Sequence, residues 1–454
     1  MKTIFSNCEA QNLDVLKSAI TCNEIINLYR DLLDSYVSDF YLEKHWTSRL
    51  PKSWKEFLEN ISIAELADLL SHNPLSSKLV PPLSLLSLQT LHNSFAIQRT
   101  CINNDCLKEE QEDFMKYLCK NVKLKKRHEI NIMSDICYKI GVKTSCFNVV
   151  DIGSGLGHLS RLLAYRHGFN VRTFEANPAL TTLAAQHDSN FERILKAKKI
   201  SSKNEFKPIH INRIIDSTLS TEGFESLIRK AFDNYSDNFS YGIIGLHPCG
   251  DLGSTLLKFY NNSSAKFIVV VSCCYMKISL DPSPNPGYPL SAFYKSQNYK
   301  LNYLSCEAAC HSIENFIVKL KNKDYLHLKV HSYRAALECI LAKSNYNMRH
   351  SAISNVKYTE GLSFEEYCLK ATRKYNLQFN NRDLKYYESL IEDSWTSVVK
   401  FYCVRLFLAP LVESIILYDR LLYLEEQKSE CIILPAFDCK ISPRNHVLIA
   451  RKIV

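Results

Sequence analysis

The chain has 454 residues, too many for one compact core and a length that divides into roughly two or three domains. A hydrophobic share of 46% and a charged share of 23% exclude a disordered or low-complexity chain. The formal net charge of +9 is a mild basic bias, concentrated at Lys120, Lys123, Lys125, Lys126 and Arg127 and again at Lys196, Lys198 and Lys199, that suits an anionic partner or a solvated basic face.

The start of the chain turns polar before the apolar core of a secretory signal forms. Of the two most apolar stretches, 267–276 is too short to span a bilayer, and 406–424 is broken by Glu413, Asp419 and Arg420 with Arg405 just ahead. No membrane partner is expected, and the expected compartment is the cytoplasm or nucleus. Seventeen cysteines without a signal segment read as reduced thiols and not as a disulfide framework.

Residues 1–115 read as an N-terminal helical region. Ser53-Trp-Lys-Glu56 has the form of a capping box, predicting a helix from Trp54, and Pro81-Pro82 breaks the helical pattern. A Glu- and Lys-rich amphipathic segment over 109–140 then carries Lys125, Lys126, Arg127 and His128, the candidate substrate-binding residues. Over 116–280 short apolar runs alternate with helical patterns, which is how βαβ units of a parallel sheet read. Strands are predicted at 147–152, 171–175, 209–215, 241–246 and 266–272, with helices at 157–166, 178–196, 224–232 and 252–260. Four prolines within 281–289 remove amide donors and make that stretch a loop. Residues 281–427 form a mostly helical insertion, its last apolar segment kinked or begun at Pro410. Residues 428–454 read as a hairpin of strands 431–437 and 446–453 that completes the sheet.

The strand over 147–152 runs into Asp151-Ile-Gly-Ser-Gly-Leu-Gly157 and then a helix. Glycines allow the tight turn and let backbone amides approach a ligand without an intervening Cβ. Dinucleotide sites favour Gly-x-Gly-x-x-Gly for a pyrophosphate, whereas an acid at the strand end suits the ammonium of a methionine moiety and repels a pyrophosphate. About twenty residues on, Glu175 ends the second strand, where it can accept both hydroxyls of a ribose. The cofactor read from this pattern is S-adenosyl-L-methionine, held by Asp151, Gly153, Ser154, Gly155, Gly157, His158, Glu175, Ala176 and Asn177. Asp216, beyond the third strand, is a further candidate. The fold class is α/β, a Rossmann-like class I methyltransferase sheet with an N-terminal helical region and a helical insertion before the hairpin.

Ligands of an open parallel sheet sit beyond the carboxyl ends of its strands. The fourth strand runs into His247, Cys249 and Asp251 and the fifth into Cys273, Cys274 and Tyr275, the candidate catalytic residues. An imidazole there can accept a proton from an attacking hydroxyl, amide or guanidinium. Buried thiols and a satisfied core histidine are the competing readings. A zinc site drawn from these residues and Cys310-His311 lacks every paired Cys-x-x-Cys spacing, so no metal is assigned. The Asn/Asp-Pro-Pro-aromatic turn that grips an exocyclic amine is replaced by His247-Pro-Cys-Gly-Asp251, so adenine-N6 chemistry by that device is not expected.

These segments, with Lys125-Lys-Arg-His-Glu-Ile130, Tyr288-Pro-Leu-Ser291, Ala309-Cys-His-Ser312, Tyr333-Arg-Ala-Ala-Leu-Glu338, Leu408-Ala-Pro-Leu-Val-Glu413 and Ser442-Pro-Arg-Asn445, resemble the methyltransferase-like protein 25 family over most of the chain. One branch of that family is named for a ribosomal RNA adenine dimethylase domain. Pro248 departs from the small residue expected there. The His-x-Cys-Gly segment and the Cys-Cys pair are also similar to those of tRNA 2′-O-methyltransferases. The resemblance implies an S-adenosylmethionine-dependent methyltransferase with RNA, ribosomal or transfer, as its expected partner. A protein substrate is the alternative, and a non-catalytic cofactor-binding scaffold is the third reading.

Overall fold

The structure is a computed structural model that describes residues 14–101, 112–118, 122–199, 207–297, 299–322, 324–344, 348–351 and 353–453. Lys120 and the first residues of the 109–140 segment lie outside these. Seven strands form one mixed sheet: β1 Asn148–Ile152, β2 Asn170–Glu175, β3 Ile209–Asn212, β4 Tyr241–Leu246, β5 Ala265–Val271, β6 Ser429–Pro435 and β7 His446–Lys452, ordered β3-β2-β1-β4-β5-β7-β6. The first five are parallel, and β7 runs antiparallel to both β5 and β6. The hairpin therefore completes the sheet, as the sequence predicts.

Strand β4 is buried at every position, and β5 at all but one, as expected of central strands covered on both faces. Helix Leu124–Thr144 lays Ile130, Met133, Ile136, Cys137 and Ile140 into a core shared with Val149, Leu162, Val171, Val269 and Ile449. Local signals set the crossover helices. Asn177 caps Pro178–Lys198 by accepting from the Ala179 amide, with proline at the first helical turn, and Ser220 caps Thr221–Phe232 through the Gly223 amide.

Beneath the glycine loop lies a buried polar chain. Arg161 Nε donates to Asp188 at 2.6 Å, Asp188 faces His210 Nε2 at 2.8 Å, and His210 Nδ1 meets Thr173 Oγ1 at 2.8 Å. Arg161 also donates to the Leu156 carbonyl, so the loop is tied to helices His158–His167 and Pro178–Lys198 and to strands β2 and β3. Gly157 has φ +68°, and a Cβ there would stand 2.8 Å from the His210 ring. Only glycine fits that turn.

The chain divides into two compact units. Among the described residues, those within 14–20, 97–301 and 413–453 form one unit, which holds the sheet, and those within 21–96 and 302–412 form the other. The sequence separates an N-terminal helical region from an insertion, but the two fold together. Tyr41 Oη meets Ser332 Oγ at 2.6 Å and Ser394 Oγ at 3.0 Å, and buried Arg405 donates to the Leu33 and Leu304 carbonyls. The second unit has its own core around Tyr333, Leu337, Phe364, Tyr367, Leu384 and Ile391.

The helix expected from Trp54 runs Lys52–Asn60 and starts behind Pro51, with no side-chain cap hydrogen bond. Pro51, at φ −55° and ψ 142°, occupies the cap position and places Ser53 inside the first turn. Helices Asn381–Leu406 and Ala409–Glu426 together contain a window long and apolar enough to cross a bilayer by length and composition, and that window is wholly buried in the protein. Three of the charges that interrupt it are paired, Arg405 with Glu307, Glu413 with Arg99 and Arg444, and Asp419 with the Leu290 and Ser291 amides, whereas Arg420 is buried over the Tyr275 ring with Nε and Nη2 lacking hydrogen-bond partners.

Removing Asp188 would leave Arg161 buried without its carboxylate, a loss of about 3–5 kcal/mol. Chemical denaturation of Asp188→Ala is expected to show a drop of that order, and a change below about 1 kcal/mol would mean the chain does not hold the loop.

Candidate active site

The sheet reverses its winding between β1 and β4. Asp151 of β1 pairs with Ile244 of β4, and Leu246 pairs with Val271 of β5. The carboxyl ends of these strands therefore bring the glycine loop, the turn at His247 and the Cys273-Cys274 pair to one edge, where an open α/β sheet binds its ligand.

Asp151 is 2% exposed and accepts from Ser160 Oγ at 2.5 Å. Burial pushes its carboxyl up to about 6, against the pull of Ser160, Lys126 and His210. Gly153, Gly155 and Gly157 all have positive φ. Glu175 accepts from the Gly155 amide at 2.9 Å and from the Asn177 amide at 2.9 Å, one bond to each oxygen. A carboxylate has about four acceptor sites, so capacity for two hydroxyls is left.

These residues fit an S-adenosylmethionine molecule. A Cβ built on Gly155 meets nothing within 4 Å, and Ser154 Oγ is buried without a hydrogen-bond partner. The loop thus faces open space and holds a polar atom that a ligand would satisfy. Beside it, a buried acid raised toward neutrality gains from an ammonium.

The other cofactor candidates take different places. His158 opens helix His158–His167, with Nδ1 3.3 Å from Arg161, and burial pushes its ring down to about 4. Asn177 spends its side chain on the helix cap, and Ala176 is exposed beside it. Asp216 lies four residues beyond the end of β3, exposed, with its carboxylate taken by the Thr218 amide and hydroxyl. The third strand is shorter than the sequence predicts, and Asp216 falls in the turn that follows.

The six catalytic candidates do not form one cluster. Asp251 accepts the Ser279 amide at 2.7 Å and so anchors the proline-rich loop. Tyr275 is buried and donates to Glu413 at 3.1 Å. Glu413 resists burial because Arg444 and Arg99, with His446, hold its carboxyl well below the usual range. Cys249, Cys273 and Cys274 do converge, with sulfurs 3.1 and 3.3 Å apart, although no paired spacing announces them.

His247 stands apart. Its φ of +71° is a left-handed conformation that costs a non-glycine residue about 1 kcal/mol or more. Its amide is held by the Val271 carbonyl, and Nε2 donates to Glu129 Oε1 at 3.0 Å. Glu129 is 1% exposed and also accepts from Ser442 Oγ at 2.7 Å, with Lys125 Nζ at 3.7 Å. Burial works against its charge, yet His247, Ser442 and Lys125 outweigh it and hold the carboxyl below the usual value. With Nε2–H committed to Glu129, a neutral imidazole keeps its lone pair on Nδ1, which is buried without a partner. A carboxylate that fixes the tautomer of a histidine in this way prepares a general base.

Glu129 and Ser442 are absent from the sequence-based site. The local signal was Glu129 inside the basic lead-in, and its partners lie 118 and 313 residues away. The basic residues divide by direction. Lys126 is half-buried, its ammonium destabilised by burial and favoured by Glu129, Asp151 and Cys273, so it faces the strand edge. Arg127 is exposed, Lys125 leans on Glu129, and His128 Nε2 accepts the Asp438 amide at 2.9 Å, fastening the hairpin loop.

Residues 125–281 match the family described as a methyltransferase domain. The chain is 28% identical over 284 residues to the probable methyltransferase-like protein 25 of Homo sapiens, covering 58% of this chain and 44% of that protein. It is 29% identical over 227 residues to the Mus musculus protein of the same name, covering 46% and 37%. The chain thus spans less than half the length of the curated relatives it matches. Among solved structures it is similar to a magnesium protoporphyrin IX methyltransferase from Synechocystis with bound SAH, at 12% identity and a TM-score of 0.22, covering 36% of this chain and 66% of that one.

Asp151 must lose its proton before it pairs with an ammonium, and its carboxyl stands near 6. Affinity for S-adenosylmethionine is therefore expected to be full above that value and to fall roughly tenfold per pH unit below it. Calorimetry across the range checks this, with Asp151→Asn expected to bind weakly at every pH. Equal wild-type affinity at about pH 5 and about pH 7.5 would remove Asp151 from the ammonium site.

Proposed function

We propose that this chain, which is similar to the methyltransferase-like protein 25 proteins and matches a methyltransferase domain over residues 125–281, is an S-adenosylmethionine-dependent methyltransferase acting on ribosomal or transfer RNA in the cytoplasm or nucleus. The observation that carries the enzymatic reading is the pairing of β1 with β4. It sets an S-adenosylmethionine-shaped loop, with Asp151 and Glu175, beside a histidine whose tautomer a buried carboxylate fixes.

When bound, the cofactor supplies an electrophilic methyl group on a sulfonium. Asp151 would pair with the ammonium, Glu175 would accept the ribose hydroxyls, and the amides of the glycine loop would hold the remainder. His247 Nδ1 takes the proton that an attacking hydroxyl releases, while Glu129 stabilises the imidazolium so formed. A base of this kind suits a hydroxyl acceptor, which must shed a proton on methylation.

Support for RNA comes from the exposed Arg127 and the half-exposed Lys125 on the helix that also carries Glu129, and from the resemblance of the His-x-Cys-Gly and Cys-Cys segments to tRNA 2′-O-methyltransferases. Placement in the branch named for a ribosomal RNA adenine dimethylase domain belongs to this proposal as regards substrate class. Adenine chemistry does not, because His247 stands where an amine-gripping turn would begin.

The test is transfer of labelled methyl groups from S-adenosylmethionine into a lysate lacking the protein, with nuclease and protease digestions in parallel. Nuclease is expected to release the label, and release by protease alone would replace RNA with protein. His247→Ala is expected to lower turnover at least about a hundredfold while leaving cofactor affinity within about threefold. Near-normal turnover in a folded variant would show the histidine to be structural.

A further inference from the structure

Three thiols from two separate turns meet at the carboxyl edge of the sheet. Cys249 follows β4, and Cys273 and Cys274 follow β5. The sulfurs of Cys249 and Cys273 are 3.1 Å apart, and Cys274 lies 3.3 Å from each of them. None of the three is in a disulfide; Cys249 is exposed and the other two are half-buried. All three ligand atoms fall within 4.8 Å of one another.

Such a triangle is not a packing arrangement. Structural cysteines in a core seek apolar neighbours, whereas these face one another at an edge reached by solvent. Nor is it a disulfide, since the sulfurs stand 3.1 and 3.3 Å apart against about 2.05 Å for an S–S bond. Three thiolates around a tetrahedral ion at about 2.3 Å would stand about 3.8 Å apart, so the observed triangle needs to open by about 0.5–0.7 Å.

The turns supply the necessary geometry. Gly250, next to Cys249, has φ +59°, and a Cβ there would stand 2.8 Å from the Lys277 carbonyl. The β4 turn thus packs directly on the segment after Cys273-Cys274, which fixes the approach of the two sulfur sources. Leu246 pairs with Val271, so the strands enter their turns in register.

We propose that Cys249, Cys273 and Cys274 bind one thiophilic divalent cation of the zinc class, with the fourth tetrahedral position left to water or a ligand. Each thiol gives its proton to solvent as it coordinates, so binding releases protons and strengthens with pH. Among the described residues, another cluster of potential metal-ligating groups, Asp39, Glu338 and His350, differs in kind. Arg349 is already paired with Asp39, and the Glu338 carboxylate accepts the His350 amide. The thiol site does not depend on the methyl-transfer reading.

The experiment is titration of the reduced, metal-stripped full chain with Co²⁺, followed by displacement with Zn²⁺. One equivalent is expected, with the thiolate-to-cobalt charge-transfer band and the intense visible bands of a tetrahedral sulfur site. Cys249→Ser and Cys274→Ser are each expected to weaken binding at least about a hundredfold, since loss of an outer-shell partner alone costs about ten- to a hundredfold. Cys431→Ser, on strand β6, is expected to leave it unchanged. Circular dichroism of each variant separates loss of the site from loss of the fold. Absence of the charge-transfer band, unchanged affinity in both folded ligand variants, or a disulfide recovered in place of metal uptake would overturn the proposal. S-adenosylmethionine binding measured on the same samples keeps that failure distinct from a failure of the cofactor reading.

Discussion

The register between β1 and β4 is the constraint on which the site rests. Val149, Val150 and Asp151 pair in parallel with Gly242, Ile243 and Ile244, joining two segments about ninety residues apart and ending both strands at one edge. Everything of chemical interest follows from that pairing. The glycine loop leaves β1, the left-handed turn at His247 leaves β4, and the Cys273-Cys274 pair leaves β5 one strand further out. Gly242 makes the fit possible, because a Cβ there would meet the Phe267 ring at 2.1 Å. A side chain at that position would force β4 and β5 apart and carry His247 away from the loop.

Buried carboxylates then fasten the edge to the rest of the sheet unit. Glu129 joins the lead-in helix to the β4 turn through His247 and to the β6–β7 connection through Ser442. Glu413 joins Arg99, Arg444 and Tyr275, and Asp419 holds the amides of Leu290 and Ser291. Each is a charge almost removed from water, and each survives burial through cations or donors brought from distant parts of the chain. The C-terminal hairpin does more than add two strands, since its connection supplies the serine and arginine that two of these carboxylates need.

What was legible in the sequence is what local chemistry dictates. Alternation of apolar runs and helical patterns marked all seven strands, and the glycine spacing marked the loop, because positive φ at Gly153, Gly155 and Gly157 leaves few other residues possible. What was hidden depends on long-range contact. Glu129 read as one more charge in a basic segment, since its partners are 118 and 313 residues away. Asp251 and Tyr275 sat at strand ends, where reactive groups gather, yet their side chains turn to Ser279 and Glu413. The 1–115 and 281–427 regions appeared as two helical additions because nothing local shows Tyr41 reaching Ser332 and Ser394. Even the apparent capping box at Ser53 gave way to the proline ahead of it.

The central claim is that the glycine loop and Glu175 form an S-adenosylmethionine pocket, and calorimetric titration of wild type against Glu175→Ala tests it most directly. Loss of two charge-assisted hydrogen bonds to the ribose is worth about 2–4 kcal/mol. The account therefore predicts affinity weaker by roughly thirtyfold to several hundredfold in a variant that remains folded. Glu175→Gln, which keeps acceptor oxygen for the Gly155 amide, is expected to fall between the two. Unchanged binding of S-adenosylmethionine in Glu175→Ala, or no binding by the wild type, would contradict it.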